Sequence, residues 1–95
     1  MQYQFDDFKS CLNQPFTLEL NGSEYRLILV STDKLANSAT VGDRDAFSIV
    51  FRGDSNLNLP QQIYRISHEQ MGSMDIFIVP IGPDEEGMCY EAVFS

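Results

Sequence analysis

Cations are scarce in this chain: six Lys and Arg stand against fourteen Asp and Glu, a formal charge of -8. A surface of that sign repels phosphate, which argues against nucleic acid and anionic membranes as partners. No apolar run approaches the roughly 20 residues a membrane span needs, and the first residues, Met1 to Asp7, lack the basic and apolar regions of a signal peptide. The expected location is cytoplasmic. Cysteine is limited to Cys11 and Cys89, whereas small secreted domains that depend on disulfides carry more. Two reduced, partly buried thiols are expected. Repeats and low-complexity tracts are absent, and 95 residues leave no room for a second core. Residues 1–95 are therefore read as one domain, a helical segment over 1–14 followed by a β meander over 15–95.

The composition is 43% hydrophobic with seven Phe and four Tyr, enough to build a packed core. Phe5, Phe8 and Leu12 recur at helical spacing, Asp6 and Asp7 suit a first helical turn, and Asn13-Gln14-Pro15 ends it. After Pro15 the period changes to two. Phe16, Leu18 and Leu20 alternate with polar residues, Asn21-Gly22-Ser23 turns the chain, and Tyr25, Leu27 and Leu29 continue on a second strand. Residues Ser31 to Arg44 read as a long mobile connection. Three further strands follow around Ala46 to Arg52, Ile63 to His68 and Met74 to Ile81, the last so apolar that it reads as a central strand covered on both faces. A sixth is formed by Tyr90, Ala92 and Phe94. Short connections imply an antiparallel meander, and the number of aromatic and branched residues demands that it close as a small barrel or fold as a two-layer sandwich. The expected core contains Phe16, Leu18, Leu27, Leu29, Phe47, Ile49, Phe51, Ile66, Phe77 and Val79.

Chemistry-bearing residues are dispersed. His68 is the only histidine and has no metal-ligand spacing around it; a half-buried imidazole bonded to backbone or a neighbour explains it. Cys89 with His68 lacks the signature of a reactive thiol, and Ser48 lacks the glycine frame of a nucleophile elbow. Asp84-Glu85-Glu86 lacks the spaced ligands of an EF-hand loop. The glycines mark turns and cradle no phosphate. No catalytic residue, cofactor or metal ligand is assigned. Arg52 and Arg65 lie within strands of an acidic protein, where they serve either in an ion-pair ladder with Glu91 or as an anchor for a carboxylate-bearing partner.

Four ordered segments carry a resemblance: Phe47-Ser48-Ile49-Val50-Phe51-Arg52-Gly53, then Leu59 to His68 beginning Leu-Pro-Gln-Gln-Ile-Tyr, then Phe77 to Asp84, then Tyr90-Glu91-Ala92-Val93-Phe94-Ser95. Together with Phe5, Phe8 and Phe16 they resemble a family of short bacterial proteins classified as a domain of unknown function. Where family members often have Gly-Pro after the Arg, this chain has Gly53-Asp54. The resemblance implies an accessory of fibre-like assemblies, because the genes of that family tend to lie beside those of phage tail collar-domain proteins, and it brings no catalytic residues.

Two readings of function follow. One is a non-catalytic module that binds a protein, a tail-fibre or collar-domain component, through an exposed sheet edge or through the loop from Asp33 to Arg44. Its expected contact residues are Asp33, Lys34, Leu35, Arg44, Arg52 and Arg65. The other is a small barrel that binds a ligand or catalyses a reaction with dispersed residues; inward positions of Phe, Ile, Leu and Tyr favour the first.

Overall fold

The computed structural model describes residues 3–34 and 46–94. A short helix, α1 (Phe5–Lys9), precedes six strands: β1 (Pro15–Leu20), β2 (Ser23–Lys34), β3 (Phe47–Gly53), β4 (Gln62–His68), β5 (Gly72–Pro83) and β6 (Met88–Phe94). Apolar residues at every second position give each strand one greasy face, and a sheet too small to cover that face with helices covers it by closing on itself. The strands form a closed antiparallel barrel in the order β1-β2-β3-β6-β5-β4.

The barrel, the antiparallel pairing and the single N-terminal helix agree with the sequence-based fold. One connection departs from a simple meander. After β3 the chain does not turn back beside it; residues 54–61 cross the barrel end to β4, which pairs with β1 and β5 while β3 pairs with β6. Two tyrosines hold that crossing. The Tyr90 hydroxyl donates to the Leu57 carbonyl at 2.9 Å and accepts the Leu59 N–H at 3.1 Å, and the Tyr64 hydroxyl donates to the Pro60 carbonyl at 2.6 Å. Leu59 is thereby tucked into the core.

Each hairpin sets its register locally. Asn21 and Gly22 both take positive φ, 53° and 82°, as a two-residue turn matched to strand twist requires. Thr17 then faces Arg26, and Phe16 faces Leu27. Pairing of β2 with β3 shifts register between Leu29 and Ser31, and pairing of β5 with β6 shifts between Pro80 and Gly82. Such bulges bend strands enough to close a small barrel. β2 runs on to Lys34, so the expected mobile connection begins later than Ser31.

The interior is filled by Phe16, Leu18, Leu27, Leu29, Ile49, Phe51, Ile66, Ile78 and Tyr90, all fully buried. Two expected core residues are not there. Phe77 is 50% exposed and Val79 is half-buried, whereas Met74, Ile76 and Ile78 point inward. A barrel strand has one inner and one outer face, so β5 is not covered on both sides; its run of apolar residues on both parities hides the alternation.

The helix occupies only part of the 1–14 segment. The Gln4 N–H donates to Asp7 Oδ2 at 2.9 Å at its start, and after Lys9 the chain passes through turns to Asn13, whose left-handed φ of 68° lets its N–H reach the Leu29 carbonyl at 2.7 Å. Phe8 is completely buried against Phe47 and Phe94, with ring centroids 6.0 and 5.2 Å away. The helix is thus an aromatic lid on the end where β3 begins and β6 finishes.

Candidate functional site

The charged residues singled out from sequence occupy separate places. Arg52 lies on the outer face of β3 opposite Cys89. Its Nε and one terminal nitrogen donate to Asp84 Oδ2 at 2.8 and 2.5 Å, and the other terminal nitrogen lies 3.0 Å from Glu86. Asp84 Oδ1 also accepts the N–H groups of Glu86 and Gly87. With the Arg52 hydrogen bonds foremost, these donors hold the Asp84 carboxyl far below the usual carboxylate range. The acidic triplet of the last turn is therefore a clasp. Arg65 is not beside Arg52, because β3 and β4 are not neighbours; it reaches Asp75 across the β4–β5 pair at 3.3 Å, both largely exposed. Glu91 joins neither pair among the described residues.

Asp33 and Lys34 close β2 opposite Ser48 and Phe47, and the Lys34 ammonium stands 5.2 Å from the centroid of the Phe5 ring. Leu35 and Arg44 lie outside the described residues, as does the remainder of the expected loop. The exposed sheet edge expected for strand addition is absent from the ring: closure gives every strand a neighbour on both sides.

His68 is buried and faces Cys11, not Cys89. Its Nδ1 accepts the N–H groups of Gln70 and Met71 at 3.0 and 3.3 Å, so the ring hydrogen sits on Nε2 and is donated to Gln14 Oε1 at 2.7 Å. The Cys11 sulfur lies 3.9 Å from Nδ1. Burial pushes the Cys11 thiol up, and Asp7 adds to it; burial does the same to Cys89, with Asp84 adding. Both cysteines are free and buried, at opposite ends of the barrel. A thiol held in its protonated form beside an imidazole whose basic nitrogen is already occupied is a structural contact, not an activated nucleophile.

The outer face of β4, β5 and β6 carries the feature that sequence reasoning missed. Ile63 and Phe77 are directly opposite each other and are 64% and 50% exposed. Val93, 58% exposed, and Phe77 both lie two positions beyond the Val79–Glu91 pair on the same outward parity. Ile81, 52% exposed, continues the apolar surface at the β5 bulge. Arg65 and Asp75 flank it next to Ile63 and Phe77. The sequence places Phe77 in the core because apolar residues occupy both parities of the strand; Asp75, two positions earlier on the same outward parity, is the signal that points the other way.

Residues 3–94 match the family described as a domain of unknown function, DUF6916. The chain belongs to that family. The DUF6916 match encloses α1 and all six strands, so the barrel is the family's domain. Neither the curated proteins nor the solved structures offer a match to the chain. Among the described residues of this DUF6916 member, no helix is long and apolar enough to cross a membrane, and no three His, Cys, Asp or Glu side chains converge where a metal ion would sit.

Proposed function

We propose that this chain is a protein-binding module without catalytic turnover, an accessory of a tail-fibre or collar-domain assembly as the family resemblance implies. The observation that carries it is the outward apolar row of Ile63, Phe77 and Val93 with Ile81 beside it. Isolated exposed apolar residues are ordinary, but several on adjacent strands form the kind of patch that marks an interaction surface. Supporting it, the barrel interior is occupied by side chains and the imidazole and the Cys11 thiol are engaged in structural contacts, which leaves the outer surface as the place where the molecule meets others. An acidic protein of net charge -8 associates best with a partner that surrounds its own apolar surface with Lys and Arg.

The test is co-expression with a tail collar-domain protein, comparing wild type with the double variant Ile63→Thr/Phe77→Thr. Threonine keeps strand propensity while removing most of the apolar area. The wild type is expected to co-purify in fixed stoichiometry and the variant to lose at least about tenfold in affinity, which corresponds to roughly 1.4 kcal/mol, with unchanged melting. Equal capture of the two would defeat the docking face. Turnover of a small molecule by the purified protein, abolished by replacing His68, would defeat the whole reading.

A further inference from the structure

Next to that row around the barrel, and sharing β4 with it, the outer faces of β2, β1 and β4 place Arg26, Thr17 and Ser67 in one line. Thr17 is paired with Arg26 on one side and with Ser67 on the other. With strands about 4.8 Å apart, a guanidinium and two hydroxyls span about 10 Å across three strands. They line a groove of about 560 Å³ together with Gln14, His68 and Glu69.

Among the described residues, the donors in this groove are uncommitted. Of the cations whose surroundings are described, Arg52 is clasped by Asp84 and Glu86, Arg65 reaches Asp75, and Lys9 and Lys34 lie over the Phe5 ring. Arg26 has no ion pair or side-chain hydrogen bond among the described residues, although Glu19 and Glu24 share its outer face. Gln14 accepts the His68 Nε2–H through Oε1, and that bond fixes its carboxamide with the NH₂ group left over as a donor. Ser67 makes only a long contact, 3.5 Å, to the Thr17 carbonyl. A fork of guanidinium N–H groups, a threonine hydroxyl and a carboxamide NH₂ on one wall matches a planar monoanion.

We infer that this groove binds a carboxylate, held by the Arg26 guanidinium with Thr17 and Gln14 as further donors. The charge count sets the class. One guanidinium stands among Glu69 in the groove and Glu19 and Glu24 on the same outer face, in a protein of net charge -8, so a phosphate dianion is repelled more strongly than a single carboxylate. A carboxylate reaches such a groove either as the C-terminus of a peptide or as a small free acid, and the chemistry at Arg26 is common to both.

The experiment follows backbone amide shifts by NMR while N-acetyl-alanyl-alanine, its C-terminal amide, sodium acetate or inorganic phosphate is added to the full chain. Saturable shifts with the acetylated dipeptide at residues 14, 16, 17, 26 and 67–70, no saturation with its amide, and affinity lower by about tenfold in Arg26→Gln are expected. Saturation by the dipeptide well below acetate identifies a peptide end; saturation by both at equal concentration identifies the carboxylate alone. Arg26 is exposed, so the variant is expected to fold as wild type. Saturation by phosphate alone, failure of both carboxylates to saturate, or identical titrations of Arg26→Gln and wild type would each overturn the assignment. The β4–β6 row is untouched by these variants, so its docking role stands or falls separately.

Discussion

The two ends of the barrel are closed by different physics. At one end, Phe8 of α1 drops among Phe47 and Phe94, with Tyr3 and Phe5 packed outside them. At the other, a few directed bonds do the closing: the Tyr90 and Tyr64 hydroxyls tie residues 54–61, and Arg52 clasps Asp84. Apolar contact is spread over many atoms and degrades gradually when one is lost. Directed bonds concentrate the cost in single groups. The difference teaches that the aromatic end should tolerate conservative exchange and salt, while the hydrogen-bonded end should fail at points.

The sharpest break is expected at Gly87. A Cβ there would collide with the Gly53 carbonyl oxygen, backbone against backbone, so Gly87→Ala should cost at least about 4 kcal/mol or prevent folding, read by urea unfolding. Phe8→Ala, which empties the aromatic lid, should cost about 3–5 kcal/mol, while Phe8→Leu should recover most of it. Tyr90→Phe keeps the ring and removes only the hydroxyl; with the Leu59 N–H left unpaired in the core, about 1–3 kcal/mol is expected, and near-equal stability would show that water replaces the hydroxyl.

The clasp gives a pH-dependent comparison. Because its donors lower the folded-state pKa of Asp84, its contribution is fully present above the unfolded carboxylate value near 3.9. It is lost as pH falls below that value. Melting of Asp84→Asn should therefore trail wild type by a constant interval from about pH 5 to 7 and converge with it in acid. A gap still as wide near about pH 2 as at about pH 7 would show that the effect does not come from the carboxylate's charge. Smallest of all, Arg65→Ala should stay within about 0.5 kcal/mol of wild type, its exposed pair with Asp75 being screened by water.

Local features were readable from sequence and distant ones were not. Alternation in Phe16-Thr17-Leu18 and the Asn21-Gly22 turn fix the first hairpin, and with it the meeting of Thr17 and Arg26. That Ser67 completes their row depends on β4 closing against β1, some fifty residues away, which no local pattern encodes. A simple meander sets Arg52 beside Arg65, with Glu91 as a possible partner of the ladder; the crossing of residues 54–61 takes β4 away from β3, and Asp84 reaches Arg52 from the neighbouring turn. Phe77 escaped because Ile76 to Val79 offers both faces of β5 as equally apolar. His68 was expected to find a neighbouring partner, and Gln14 is that partner, but its contact with Cys11 depends on how the N-terminal segment lies across the barrel end.

The seam between β1 and β4 is registered over three residue pairs, Thr17 to Glu19 against Ser67 to Arg65, whereas β3 and β6 are registered over seven. A ring breaks at its shortest join. Amide protons of Leu18 and Ile66 should therefore exchange with solvent through a sub-global opening well below the free energy of complete unfolding, ahead of those in β3 and β6. In that opened state the ring is an ordinary sheet with β1 and β4 as its margins, so a small equilibrium fraction of the molecules offers unpaired backbone to other chains. Concentrated solutions should lose protein to self-association at a rate set by this opening.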